Sequence, residues 1–211
     1  MVEQKDLDTE ARIKEAARVI FQQKGYAATR SRDIAQAAGI NVALLNYYFR
    51  SKEKLFQLIM SEALAAFVQR IQSVLNDPDS TLDEKVNVLV NRYIDMLTLE
   101  PELPVFIISE IRSNPQLLLE KMPIREIIFQ SVFARQLQVA IEKREIAPIN
   151  PLHFFMNLIG LIIMPVLARP MLISAGNLSQ DDFKALMEER RKYIPFWIKA
   201  FCKTDIPQIK Y

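Results

Sequence analysis

The sequence predicts an all-α protein, and three observations predict it. Apolar residues recur at helical spacing along almost all of the 211 residues. No stretch alternates as a strand would, and Ser, Asn and Gly stand where helices begin and end. Half of the residues are apolar and only 4 are Gly, the composition of a folded chain that can bury a core without staples. No repeat of fixed period and no low-complexity tract interrupts it.

The first helix is expected from about Asp8 to Lys24, because Ile13, Ala16, Ala17, Ile20 and Phe21 form one apolar stripe. Gly25 stands as its C-terminal cap. Ser31 can cap a second helix, with Asp33 in the first turn and Ile34, Ala35 and Ala38 as a small apolar face, and Gly39 stops it. Asn41 caps a third helix, Val42 to about Tyr48, and Ser51 caps a fourth that starts Lys52, Glu53, Lys54. Two short helices joined across a glycine turn, the second opening on an Asn cap, form a helix-turn-helix pattern. Spacing sorts the second of them: Leu45 and Phe49 face inward, while Val42, Ala43, Asn46, Tyr47 and Arg50 fall on the other side.

The fourth helix runs to about Leu75 and is apolar nearly all round its middle, as a helix joining two parts would be. A turn over Asp77 to Ser80 leads to a fifth helix, Leu82 to Leu99, and Pro101 and Pro104 separate it from a helix over Val105 to Ser113. Pro115 begins a further segment, interrupted at Pro123, that reaches about Arg144. Pro148 and Pro151 precede an apolar helix over Leu152 to Ala168, and a last helix covers about Ser179 to Phe201. In that helix the run EERRK reads as a solvated face, because Glu188 and Lys192 are an i,i+4 pair.

Several functions are excluded by composition. Cys202 is the only cysteine and His153 the only histidine, which offers no disulfide, no metal cluster and little acid–base machinery, so no metal and no cofactor is expected. No catalytic triad spacing, metalloprotease motif, phosphate loop or dinucleotide fingerprint occurs, and the chain does not read as an enzyme. The N-terminus mixes acids with bases and lacks an apolar core, and the run Leu152 to Leu167 is broken by His153, Asn157, Gly160 and Pro165. Neither a secretory signal nor a membrane span is expected, and a cytoplasmic location is.

Net charge is only +2, but its distribution is uneven. Between Arg12 and Lys54 stand Arg12, Lys14, Arg18, Lys24, Arg30, Arg32, Arg50, Lys52 and Lys54, against Glu15, Asp33 and Glu53. A basic end on an otherwise acidic chain suits a nucleic-acid module on a larger body.

The stretch SRDIAQAAGINVALLNYYFRSKEKLF, residues 31–56, resembles the DNA-binding segment of the tetracycline-repressor (TetR) family of bacterial regulators. The resemblance covers about Thr9 to Leu58. Tyr47, Tyr48, Phe49, Ser51 and Lys52 match its aromatic-rich close and Ser-Lys start in order, whereas Asn46 stands where the family often has Tyr and Leu44 where a smaller residue is usual. It implies about nine helices: a helix-turn-helix DNA-binding domain over 1–54, then a helical effector-binding and dimerisation domain over 55–211.

An α-helix fits the major groove, so the exposed side chains of the third helix can meet base edges. Asn46 suits an adenine edge, and Val42 and Ala43 suit a thymine methyl. Arg32 suits a guanine edge or a phosphate, and Ser31, Tyr47, Tyr48 and Lys52 suit phosphate. From the family resemblance, the apolar helix and the last helix would pair with a second copy through Leu152, Phe155, Leu158, Ile159, Ile162, Leu186, Ile194, Trp197 and Phe201. The resemblance also implies an effector pocket among the middle helices, for which Tyr93, Phe106, Phe129 and Phe133 supply aromatic lining and Glu110, Gln130 and Asn157 polar groups. Two functions follow: a homodimeric repressor released from a palindromic operator by a small hydrophobic or amphipathic ligand, or a DNA-binding regulator controlled by a protein partner instead.

Overall fold

The computed structural model of the protein describes residues 2–113, 116 and 124–203, with side chains from residue 8. Among the described residues every regular element is a helix: α1 (Val2–Ala28), α2 (Ser31–Ala37), α3 (Val42–Phe49), α4 (Lys52–Leu75), α5 (Leu82–Leu99), α6 (Leu103–Ser113), α7 (Ile124–Phe129), α8 (Val132–Glu142), α9 (Pro151–Leu167), α10 (Arg169–Gly176) and α11 (Gln180–Lys203). The punctuation expected at Pro115 and Pro123 lies outside the described residues.

α1 buries Ile13, Ala17 and Phe21, four residues apart on one face, against Ile34, Leu45, Leu55 and Ile59 of the next three helices. Gly25 turns left-handed, at φ 73 and ψ 165, and interrupts the helix where its end was expected; a further short helical turn then reaches Ala28. The Thr29 hydroxyl donates to the Gly25 carbonyl at 2.7 Å and closes this extra turn. Ser31 is the first residue of α2, not its cap: the cap position is Arg30, whose N–H donates to the Asp33 carboxylate at 2.9 Å. That bond and nearby Lys24 hold Asp33 below the usual carboxylate range. Gly39, at φ 65, makes the turn into α3, with the Ile40 N–H donating back to the Ala35 carbonyl at 2.9 Å.

α4 leaves this cluster and continues unbroken into the rest of the molecule, where Leu64, Phe67, Val68, Ile71 and Leu75 join the core. It is long and apolar enough to cross a bilayer, but here it is a core helix surrounded by others. α5 packs on α4 and on α11, and a Thr81–Glu84 capping box opens it. Ser131 splits the segment expected as one into α7 and α8, its hydroxyl donating to the Ile127 carbonyl and accepting from the Ala134 N–H. α9 is followed after a 66° bend by α10, a helix the sequence reading did not anticipate.

Candidate DNA interface and the cavity behind it

α3 is placed by two buried anchors and one cap. Leu45 and Phe49 are in the core, and the Asn41 side chain accepts from the Leu44 N–H at 2.8 Å, satisfying a donor that the first turn of a helix leaves free. Val42, Ala43, Leu44, Asn46 and Tyr47 are exposed, Tyr47 to 79%. Tyr48 is half-buried and meets the Tyr47 ring edge to face at 5.4 Å. Arg32 is exposed on α2, and Ser31 beside it is half-buried.

Much of the positive charge near this face is already engaged. Lys14 pairs with Glu62 at 2.9 Å, Arg18 with Glu100 at 2.6 Å and Lys24 with Asp33 at 3.5 Å. The Lys52 ammonium, expected at phosphate, donates to the Tyr26 and Thr29 carbonyls at 2.8 Å each and lies 4.1 Å from the Tyr26 ring centre. It clips the end of α1 to the start of α4, which leaves it one N–H at most for a phosphate. Arg12, Arg30, Arg32, Arg50 and Lys54 are exposed and, among the described residues, form no ion pair. The sequence reading assigned no contact to Arg30, Arg50 or Lys54; their adjacency to helix starts and to the aromatic close of α3 was the available signal.

Behind this head, α4, α5, α6, α7 and α9 line a cavity of about 240 Å³. Leu64, Phe67, Val68, Ile71, Met96, Pro104, Ile107, Ile127, Phe155, Leu158, Ile159 and Ile163 are among its walls, and Tyr93 is the only polar residue among the described lining. Phe67 packs edge to face on Tyr93 at 4.6 Å, and burial pushes the Tyr93 hydroxyl above its usual range. Of the residues expected to line a pocket, only Tyr93 does. Phe106 is buried against Phe56, and Phe133 packs on Phe154 and Phe155. Phe129, Gln130 and Asn157 are exposed and Glu110 is half-exposed on α6, because these helices turn those positions away from the cavity. A larger groove of about 1090 Å³ between α5, α8 and α11 is open to solvent and rimmed by Asp83, Arg135, Lys192 and Lys199.

The residues expected to pair two copies divide in the same way. Phe155, Leu158, Ile162 and Ile194 are buried in the protomer's own core and Phe155, Leu158 and Ile159 line the cavity, so these positions face inward. Leu152, Leu186, Trp197 and Phe201 are exposed. The outward faces also carry Met156, Met164 and Tyr193, with Tyr193 stacked on Trp197 at 5.6 Å. The expected pairing helices are therefore apolar on the outside through part of the expected set, Leu152, Leu186, Trp197 and Phe201, together with residues that the sequence reading did not name.

A short helix anchored from behind, exposed in front and followed by a long helix into an apolar-cored body defines a helix-turn-helix regulator. Residues 13–59 match the family described as "Bacterial regulatory proteins, tetR family". That match assigns a TetR-type helix-turn-helix segment to α1–α4, and the chain as a whole is similar to DNA-binding transcriptional regulators of that family. It is 27% identical over 203 residues to the probable HTH-type transcriptional regulator YttP of Bacillus subtilis, covering 94% of this chain and 96% of that protein. Over 89 residues, 41% of this chain and 42% of the other, it is 33% identical to the HTH-type transcriptional repressor NicS of Pseudomonas putida. The fold is that of a TetR transcription regulator from Haloarcula marismortui, with a TM-score of 0.61 at 20% identity over 92% of this chain and 97% of the other. It is also that of Bacillus subtilis FadR in complex with stearoyl-CoA, with a TM-score of 0.58 at 18% identity over 90% and 98%.

Proposed function

We propose that the protein is a homodimeric cytoplasmic repressor that holds a palindromic operator and releases it when a small hydrophobic or amphipathic molecule fills the cavity. The observation that carries this reading is the apolar cavity, because its wall includes α4, the helix that also carries the reading head. A fully packed interior would have favoured control by a protein partner; a 240 Å³ space exceeds the roughly 150 Å³ that suffices to bind benzene in an engineered cavity. Residues 1–54 form the DNA-binding domain and 55–211 the effector-binding and dimerisation domain.

On DNA, α3 enters the major groove with Val42, Ala43 and Asn46 toward the bases and Arg32 at its flank. Ser31, Tyr47, Tyr48 and Lys52 grip phosphate, joined by the exposed Arg30, Arg50 and Lys54. Ligand acts by differential affinity: it favours the body conformation whose two heads no longer match the half-site spacing, since a ligand binding both states equally would release nothing. FadR, of similar fold, binds stearoyl-CoA, so acyl-CoA thioesters lead the candidate ligands.

The test is footprinting on the DNA beside the protein's own gene at two salt concentrations, then with an acyl-CoA series. A protected palindrome, steep salt dependence and loss of protection with one of the thioesters are expected. Uniform, unselective protection would sink the repressor reading.

A further inference from the structure

α1 touches the body at a second place besides α4. Arg18, Gln22 and Gly25 lie on one face of α1, spaced i, i+4, i+7, and all three meet the junction between α5 and α6. Arg18 Nη1 donates to Glu100 Oε1 at 2.6 Å, and Glu100, the residue that caps α5, is only 13% exposed in its side chain. Gln22 Nε2 donates to the Leu99 carbonyl at 2.6 Å. That carbonyl belongs to the last turn of α5, where no intrahelical donor remains, and the Leu103 N–H goes to Glu100 instead. A Cβ added at Gly25 would lie 3.0 Å from the Glu102 carboxylate, so the two surfaces are in close contact there as well.

The same junction is a wall of the cavity. Met96, one turn before it, and Pro104 and Ile107, just after it, line the cavity. On the other side of α6, Phe106 meets Phe56 of α4 at 6.1 Å, and Phe56 meets Phe21 of α1 at 5.1 Å. A molecule entering the cavity therefore presses on residues that sit one helical turn from the atoms holding α1.

We propose that Arg18 and Gln22 latch the reading head to the α5–α6 junction, and that this latch, in parallel with α4, carries the state of the cavity to the DNA-binding surface. Arg18, Gln22 and Glu100 are positioning residues: none is among the groups assigned to DNA or to the cavity wall. The proposal rests on the ligand-release reading for its direction but not for its existence, because coupling between two sites is reciprocal. Operator binding must then tighten the junction just as a ligand at the junction loosens the operator.

The experiment compares the full-length protein with Arg18→Gln, Glu100→Gln and the exchanged pair Arg18→Glu with Glu100→Arg, each checked for unchanged helical signal and dimerisation. Operator affinity is measured with and without each member of an octanoyl- to stearoyl-CoA series, and thioester affinity is measured separately. The single variants should keep both affinities within about threefold while the ratio of operator affinity without thioester to that with it falls at least about fivefold toward one. The exchanged pair should regain most of that ratio. A preserved ratio in the single variants, or no recovery in the exchanged pair, overturns the latch. A wild-type protein that ignores every thioester fails the ligand reading instead, and amide hydrogen exchange then decides the latch alone. Operator binding should slow exchange across residues 96–107 in the wild type and not in the single variants; equal behaviour in all of them overturns the proposal.

Discussion

Asn46 occupies the middle of the exposed face of α3, one turn beyond Val42 and turned away from the buried Leu45 and Phe49. Its amide has both a donor and an acceptor to offer an adenine edge, and nothing in the fold depends on it. Asn46→Ala should therefore weaken operator binding by about 1 to 3 kcal/mol and leave binding to random duplex almost unchanged, as fluorescence titrations on both DNAs would show. Equal losses on both would reduce Asn46 to a backbone contact. At this scale the sequence was informative where a residue's role is set by its own chemistry and phase. Asn41 and Ser51 cap as expected, and Leu45 and Phe49 are buried as their spacing requires. It was uninformative where a role depends on a distant group. Lys52 looks like any phosphate-facing lysine until the Tyr26 and Thr29 carbonyls are brought to it. Arg18 likewise looks like one more base in a basic segment, yet it is engaged by Glu100, 82 positions away.

At the scale of the element, α9 shows how one helix can satisfy conflicting demands. Pro165 lies inside it and has no N–H to give the Leu161 carbonyl four residues back. Arg190 of α11 supplies the missing donor, with Nη2 2.6 Å from the Leu161 oxygen, while its guanidinium lies 5.3 Å from the Trp197 ring centre. Arg190→Met should thus destabilise the protein by about 1 to 3 kcal/mol, because a half-buried carbonyl loses its partner. The loss should shrink by about half or more in a Pro165→Ala background, where the helix itself supplies the donor. Chemical denaturation of the four proteins in the cycle measures the interaction, and strict additivity would refute the link. The same helix explains the largest misreading of the sequence. α9 is apolar on nearly every side, so composition cannot say which side faces the core. Phe155, Leu158, Ile159 and Ile162 turn inward, whereas Met156, Gly160 and Met164 turn out. The pocket residues failed for the same reason: Phe129 and Phe133 were chosen by residue type, and only the packing of α7 and α8 decides which ring is in the core and which is in water.

For the whole molecule, the outward faces of α9 and α11 are the feature a single chain leaves unexplained. Met156 is 60% exposed, Met164 59% and Tyr193 50%. Gly160 lies between the two methionines with nothing within 4 Å of where its Cβ would be, which lets another helix approach closely. The Arg190 Nε is buried without an acceptor among the described residues. Apolar side chains grouped in this way on adjacent helices are costly in water and suit a self-complementary two-fold interface. A second copy would also supply the second reading head that a palindrome requires. Met156→Glu and Trp197→Glu, both at exposed positions, should leave the protomer folded but place a desolvated carboxylate at the centre of the interface. Sedimentation velocity should show the proposed dimer for the parent and monomer for the variants. Operator affinity should fall by at least about a hundredfold, and the slope of log affinity against log salt should drop to roughly half, because each molecule then neutralises the phosphates of one half-site alone. A variant that sediments as a dimer and binds with the parent slope would mean that the two heads are joined through some other face.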